Sequence, residues 1–271
     1  MISILQNNTP GFFYLSLNII PAILLIGLFL LREKNKEPIT MVLSTFALTY
    51  IIIIPLDLLI TIVDPFLVNY FDNQHFYSLN AFFRAAFLEE FLKFSIIFLF
   101  VYKSTYFDEI SDGVIYGVTV GLGYAVAENY NYLIYDYYGL EPMIKFIENR
   151  WWALIGHVSL GIIMGILIAK SRLVKFKKNI ILSLSLVVPI FLHGLHNYTF
   201  DSKILFENYV DYYIFGFDII LIIGCLIFLP KLETYKFKYE TTNSLYKDFI
   251  KISLVGFIFS LLIAIIFGFI N

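Results

Sequence analysis

The chain has 271 residues, of which 59% are hydrophobic and only 15% are charged, and its formal net charge is -2. Soluble domains carry about a quarter charged residues, so this composition is not that of an ordinary soluble protein. The small net charge gives no basis for nucleic-acid binding, and no nucleic-acid partner is expected. A single cysteine, Cys225, excludes a disulfide framework and a cysteine-based metal site within one chain.

Eight apolar runs are each long enough to cross a bilayer as a helix, which takes about 20 residues. Helices are expected because a helix satisfies its own backbone groups in lipid, and these runs are too long for barrel strands. The predicted fold is an all-α, polytopic transmembrane helix bundle of about eight spans, forming a single integral membrane domain over residues 1–271. The predicted spans are 12–31, 40–63, 81–102, 113–136, 151–170, 180–200, 209–229 and 249–270.

The first apolar run is predicted to be a retained span. A signal peptide begins with basic residues, whereas this run starts uncharged and is followed by Arg32, Lys34 and Lys36. Lysine and arginine also set the orientation, because the loops on one side carry 14 of them and the loops on the other side carry three. The richer side is cytoplasmic by this rule, so both termini are predicted to be extracytoplasmic.

The third span carries Glu89, Glu90 and Lys93 at positions where charged groups are costly in lipid. Lys93 lies four residues after Glu89 and three after Glu90, so both carboxylates are within its reach on the helix surface. Two adjacent carboxylates with one lysine suit proton transfer, because one carboxylate can stay ionised while the other holds a proton. A buried structural ion pair is the alternative interpretation.

The fourth span combines a stripe of small residues with a carboxylate. Gly113, Gly117 and Gly121 recur at steps of four, a pattern that permits close helix packing. Glu128 lies near the same face and is therefore a candidate site residue. The alternative is an interfacial carboxylate at the end of the span.

Histidines mark the fifth and sixth spans. His157, in the fifth, is by itself more typical of an interhelical hydrogen bond than of a ligand. The sixth span carries His193, His196 and Asn197, and two of these, His193 and Asn197, share one helix face because they are four residues apart. Two histidines and an asparagine within lipid are hard to explain by packing alone.

The candidate residues of these four spans agree in depth. Counted from the predicted outer ends of their spans, four residues lie about 9–12 Å below the outer interface at 1.5 Å per residue, namely Glu89, Glu128, His157 and His193. The spans alternate in direction, so sequence spacing does not force this agreement. The sequence therefore predicts one polar site in the outer half of the membrane, within a catalytic core of about 81–200 that the peripheral spans 12–63 and 209–270 surround.

The polar elements follow one another in a specific order: Glu-Glu-x-x-Lys at 89–93, the segments 112–117 and 121–129, Arg150 with His157, and His193-Gly194 with Asn197. This order resembles the PrsW family of intramembrane proteases, which cut an anti-sigma factor on its extracytoplasmic side. The resemblance covers less than half of the chain and extends more distantly to the CAAX-prenyl protease and bacteriocin-immunity superfamily. It implies an intramembrane endopeptidase of a prokaryotic cell membrane, with a membrane-anchored protein as substrate.

Peptide hydrolysis needs an activated water, a proton carrier and a stabiliser for the oxyanion. Glu89 or Glu90 is the candidate general base, with Lys93 tuning it. Asn197 is placed to orient His193 or to stabilise the oxyanion. In a metal-free mechanism Glu89 acts as the base while His193 and Asn197 donate to the oxyanion.

A metal-dependent mechanism is equally open from the sequence. Two histidines and one glutamate form a known catalytic zinc set, so Zn2+ held by Glu128, His157 and His193 is the predicted cofactor site. Zn2+ would polarise the substrate carbonyl and make a bound water more acidic. The main alternative function is a proton-coupled membrane transporter that uses the same acids and histidines, and a third is a catalytically inactive scaffold.

Overall fold

The computed structural model of the chain describes residues 8–70, 73–136, 140–174, 176–202, 209–237 and 245–269. Within these ranges every regular element is a helix, which confirms the all-α prediction; one isolated bridge pairs Glu109 with Lys236. The α-helices are α1 (Asn8–Arg32), α2 (Ile39–Tyr70), α3 (Asn73–Leu79), α4 (Leu88–Ile96), α5 (Ile110–Asp136), α6 (Leu140–Ser171), α7 (Lys178–Ser202), α8 (Tyr209–Leu232) and α9 (Leu245–Phe269), and two π-helical segments, π1 (Asn80–Phe87) and π2 (Ile97–Val101), flank α4.

Six of the described helices are long and apolar enough to cross a membrane, namely parts of α2, α5, α6, α7, α8 and α9. A shorter apolar helix, Ser16–Arg32, corresponds to the first predicted span. The third predicted span is the composite helix π1–α4–π2. The bundle thus agrees with the prediction of about eight spans. The predicted outward position of the termini falls on residues 1–7 and 270–271, which lie outside the described residues.

Helix α5 forms the centre of the bundle. Its apolar window, Ile110–Tyr132, is 100% buried, whereas only 22% of the window in α8 and 28% of that in α9 are buried. The exposed sides of the outer helices carry large apolar residues, as expected where lipid replaces water. Polar groups on α5 are therefore surrounded by protein.

Helices α5 and α6 pack with their backbones in direct contact along the glycine stripe. A Cβ added to Gly117 would meet the carbonyl oxygen of Gly161, and one added to Gly121 would meet the carbonyl oxygen of His157. Small residues at the interface permit such an approach because no side chain separates the two backbones. The close-packing prediction is confirmed, and the backbone of His157 is held against α5 within two turns of Glu128.

Candidate active site

The α4 segment, between its two π-helical neighbours, positions the paired glutamates. π-helical turns are rare and are frequent at functional sites. Glu90 and Lys93 are completely buried, and Lys93 Nζ donates to Glu90 Oε1 at 2.6 Å. Glu89 is buried as well. Of the two lysine pairings that the sequence allows, the structure forms the one with Glu90.

His193 brings α7 to the paired glutamates. Its Nδ1 lies 2.8 Å from Glu90 Oε1, and its Nε2 lies 3.8 Å from Glu89 Oε2. An ionised carboxylate only accepts hydrogen bonds, so we assign the ring proton to Nδ1 and leave Nε2 facing Glu89. The next residue, Gly194, lets α7 approach π1 closely, because a Cβ there would clash with the ring of Phe82.

His157 brings α6 to the same group from the opposite side. Its Nδ1 lies 2.8 Å from Lys93 Nζ, and its Nε2 lies 3.0 Å from Glu128 Oε2. The ammonium donates, so Nδ1 accepts and the proton resides on Nε2, which donates to Glu128. The ring centres of His157 and His193 are 5.4 Å apart. These contacts bring together Glu90, Lys93, Glu128, His157 and His193, which the sequence assigned to one site.

Arg150 holds Glu128 from the start of the apolar part of α6. Its guanidinium donates through Nη2 to Glu128 Oε2 at 2.5 Å and through Nε to Asn129 Oδ1 at 2.7 Å. The guanidinium also lies 4.1 Å from the ring centre of Tyr132, an arrangement that stabilises a cation. Glu128 therefore bridges Arg150 and His157.

Tyr124 contacts the site although sequence reasoning gave it no role. The Lys93 ammonium lies 4.6 Å from the centre of its ring, which stands 5.2 Å from the ring of His157. An ammonium over an aromatic face is attracted by the electron-rich ring. The sequence spacing could have indicated this contact, because Tyr124 precedes Glu128 by four residues and so shares its face of α5.

Asn197 lies one turn beyond His193 on α7 and is half-buried. None of the hydrogen bonds among the described residues joins Asn197 to the glutamates or histidines of the site, so its catalytic role stays a prediction. His196 is also half-buried.

A metal ion could be held by Glu89, His157 and His193. One donor atom from each lies within 4.8 Å of the others, and all three residues are buried. The Oε2 atoms of Glu89 and Glu90 are buried without a hydrogen-bond partner. A carboxylate with two imidazoles is a catalytic zinc donor set, so the residues present fit the ion. This grouping places Glu89 where the sequence predicted Glu128, whose role as a ligand stays a prediction.

The sequence matches known proteins over most of its length. A family model described as PrsW family intramembrane metalloprotease matches residues 37–225. The chain belongs to the PrsW family. Protease PrsW of Bacillus subtilis (strain 168) is 34% identical over 212 residues, which cover 78% of this chain and 91% of the relative. Protease PrsW of Clostridioides difficile (strain 630) is 29% identical over 233 residues, or 84% and 91% of the two chains. No solved structure matches significantly.

As a PrsW-family member, the chain is an intramembrane protease and an integral membrane protein of bacteria. It sits in the lipid bilayer and acts on a protein substrate. The family's description as metalloproteases agrees with the buried group of one glutamate and two histidines, which has the donors for a metal ion. The comparisons give no support to the transporter alternative.

Proposed function

We propose that this PrsW-family member cleaves a membrane-anchored protein near the extracytoplasmic side of the bilayer, using a water activated at the glutamate–histidine group. The observation that carries the proposal is the convergence of α4, α6 and α7 on one buried cluster with two unpartnered carboxylate oxygens. Unsatisfied buried carboxylate oxygens are expensive unless a proton, water or cation completes them. A hydrolytic site supplies all three.

The position of the cluster along α5 supports cleavage near the extracytoplasmic side. Helix α5 begins at Ile110, after one of the connections on the lysine-rich side of the bundle. Glu128 lies 18 residues further on, about 27 Å at 1.5 Å per residue. The hydrocarbon core is about 30 Å thick, so the site lies toward the opposite, extracytoplasmic face.

Glu89, His157 and His193 are the residues that would hold Zn2+. Bound there, the ion would polarise the substrate carbonyl and lower the energy needed to deprotonate a water. His193 already presents Nε2 toward Glu89, while His157 offers a ring nitrogen once one of its two contacts opens. Its contact with Glu128 is the one nearer the surface, because Glu128 is more exposed than Lys93.

Glu90 is assigned the proton transfer. Its Oε1 is fixed by Lys93 and His193, and its Oε2 is left to accept a proton from the attacking water. The same oxygen returns that proton to the leaving amine. Asn197, one turn beyond His193, is assigned the role of stabilising the oxyanion that forms on the substrate carbonyl.

The proposal is tested with protein purified in nanodiscs, whose bound metal is measured by mass spectrometry and whose cleavage of a transmembrane peptide is followed by product mass. Wild-type protein should carry close to one zinc and cut the peptide on the extracytoplasmic side. The His193→Ala variant should lose both the bound zinc and the cleavage activity. In Glu90→Gln, cleavage activity should fall by about 100-fold or more. Glu233→Gln, which removes a buried carboxylate that contacts the backbone N–H of Lys34 after α1, is the control and should behave as wild type.

Each contrary result has a distinct meaning. Active wild-type protein without metal would overturn the zinc assignment and return Glu89 to the role of general base in a metal-free mechanism. Undiminished cleavage in Glu90→Gln would overturn the proton-transfer assignment. Cleavage on the cytoplasmic side would overturn the proposed orientation.

A further inference from the structure

A second buried acidic group lies at the end of α5 opposite to the active site. Glu33, Glu37 and Asp112 are 2%, 8% and 1% exposed, and one carboxylate oxygen from each lies within 4.8 Å of the other two. Asp112 is in the first turn of α5, 16 residues before Glu128, which is about 24 Å along the helix. The group is therefore separate from the active site and shares no residue with it.

The local sequence holds these carboxylates in place through backbone groups. Glu33 and Glu37 lie in the short connection between α1 and α2, where the backbone N–H of Glu37 donates to Glu33 Oε2 at 3.1 Å. Asp112 Oδ2 accepts the N–H groups of Asp108 and Glu109 at 2.7 and 2.6 Å. The Glu33 and Asp112 carboxylates are thus held in place by main-chain groups.

One oxygen in the group is buried and has no hydrogen-bond partner, namely Oε1 of Glu33. The Tyr116 hydroxyl donates to Glu37 Oε2 at 2.5 Å, which satisfies one other oxygen. Two lysines near the group bond to other acceptors, since Lys36 Nζ donates to main-chain carbonyls and Lys236 Nζ pairs with Glu109 at 2.5 Å. Three buried carboxylates are left with no cation of the described residues bonded to them.

The electrostatics of the bare group are unfavourable. Burial raises the pKa of the Glu33 carboxyl to about 7 and that of Glu37 to about 9, and repulsion from Asp112 adds to both. A bound cation would offset the repulsion among the three carboxylates.

We propose that Glu33, Glu37 and Asp112 bind a hard divalent cation of the Mg2+, Mn2+ or Ca2+ class. All three donors are carboxylate oxygens, which these cations prefer, whereas the active site offers two imidazoles and suits zinc. The ion would clamp the α1–α2 connection onto the start of α5. The surrounding loops already converge there, because Lys34 N donates to a Glu233 carboxylate oxygen at 2.5 Å and Asn35 donates to one of Glu109 at 2.7 Å.

The test uses Mn2+ as the probe and electron paramagnetic resonance to count the bound ion on the full chain in zwitterionic nanodiscs. All variants carry Glu89→Gln, His157→Ala and His193→Ala, which removes the three donors assigned to the active-site metal and makes the result independent of the proposed protease mechanism. This background should bind about one Mn2+ per chain. Adding Glu37→Gln or Asp112→Asn should weaken binding by at least about tenfold, since even indirect changes around a metal have that effect. Adding Glu233→Gln, a neighbouring buried carboxylate outside the group, should change little.

Absence of saturable Mn2+ binding at millimolar concentration would overturn the proposal, and so would equal affinity in the Glu37→Gln variant. If the variants do not fold, the background protein alone decides. Its thermal unfolding midpoint should rise with Mn2+ or Mg2+ concentration and fall back when EDTA is added, because a ligand of the folded state stabilises it. An unfolding midpoint that changes with neither Mn2+ nor Mg2+ concentration would also overturn the proposal.

Discussion

His193 Nδ1 lies 2.8 Å from Glu90 Oε1, a contact that joins α7 to α4 across 103 positions of the sequence. The same carboxylate oxygen accepts from Lys93 Nζ at 2.6 Å. Glu90 thereby orients the histidine and the lysine together, in the manner of a carboxylate that supports a metal-ligating histidine.

The first prediction concerns this support. Glu90→Gln keeps an oxygen that can accept from His193 but removes the charge, so the affinity for zinc should fall by about 10–100-fold. Zinc competition against a chromophoric chelator measures it in nanodisc-embedded protein. Unchanged affinity in Glu90→Gln would show that the carboxylate does not support the ligand. Glu233→Gln serves as the matched loss of one buried carboxylate and should leave zinc affinity as it is.

A second prediction concerns the buried ion pair of α4. Lys93→Met leaves the completely buried Glu90 charge without its ammonium partner, and should lower the free energy of unfolding by about 3–5 kcal/mol. The double variant Glu90→Gln/Lys93→Met removes both charges and should regain a large part of that stability while remaining inactive. Denaturant titration in bicelles measures the free energies, and additive losses in the double variant would contradict the pairing.

A third prediction concerns the contact between α5 and α6. Gly117→Ala places a methyl group against the backbone carbonyl of Gly161 and should destabilise the protein by about 1–3 kcal/mol. Activity should fall as well, because the shift separates His157 from Glu128. The control is Gly224→Ala in α8, where an added Cβ meets nothing within 4 Å. Thermal unfolding of the two variants side by side gives the comparison, and equal midpoints would argue against the close contact.

A fourth prediction concerns Arg150. Arg150→Lys keeps the positive charge but loses the planar fork that contacts Glu128 and Asn129 together. We expect peptide cleavage to fall by about 10–100-fold, the range found when outer-shell partners of a site are changed. Tyr132→Phe keeps the ring under the guanidinium and should leave kcat/KM near the wild-type value. If Arg150→Lys is as active as wild type, charge alone is enough to hold Glu128.

The sequence by itself determined the membrane class, the helical fold and most members of the candidate active site. Apolar runs of span length have few alternatives to helices, since lipid offers no partner for backbone groups. Charged residues are rare in such runs because burial in lipid is costly, so Glu89, Glu128, His157 and His193 were each informative. Their order along the chain then carried the family resemblance.

Tertiary structure alone decided which of these residues pair. Positions three and four residues away on a helix are almost equally close, so only the arrival of His157 and His193 from other helices determines that Lys93 bonds Glu90. The shared depth of these residues likewise does not determine how each helix is rotated about its own axis. That rotation is what places Glu89 beside the two histidines. The second acidic group depends on a loop fold, because the connection after α1 brings Glu33 and Glu37 to Asp112, and no periodicity in the sequence encodes that meeting.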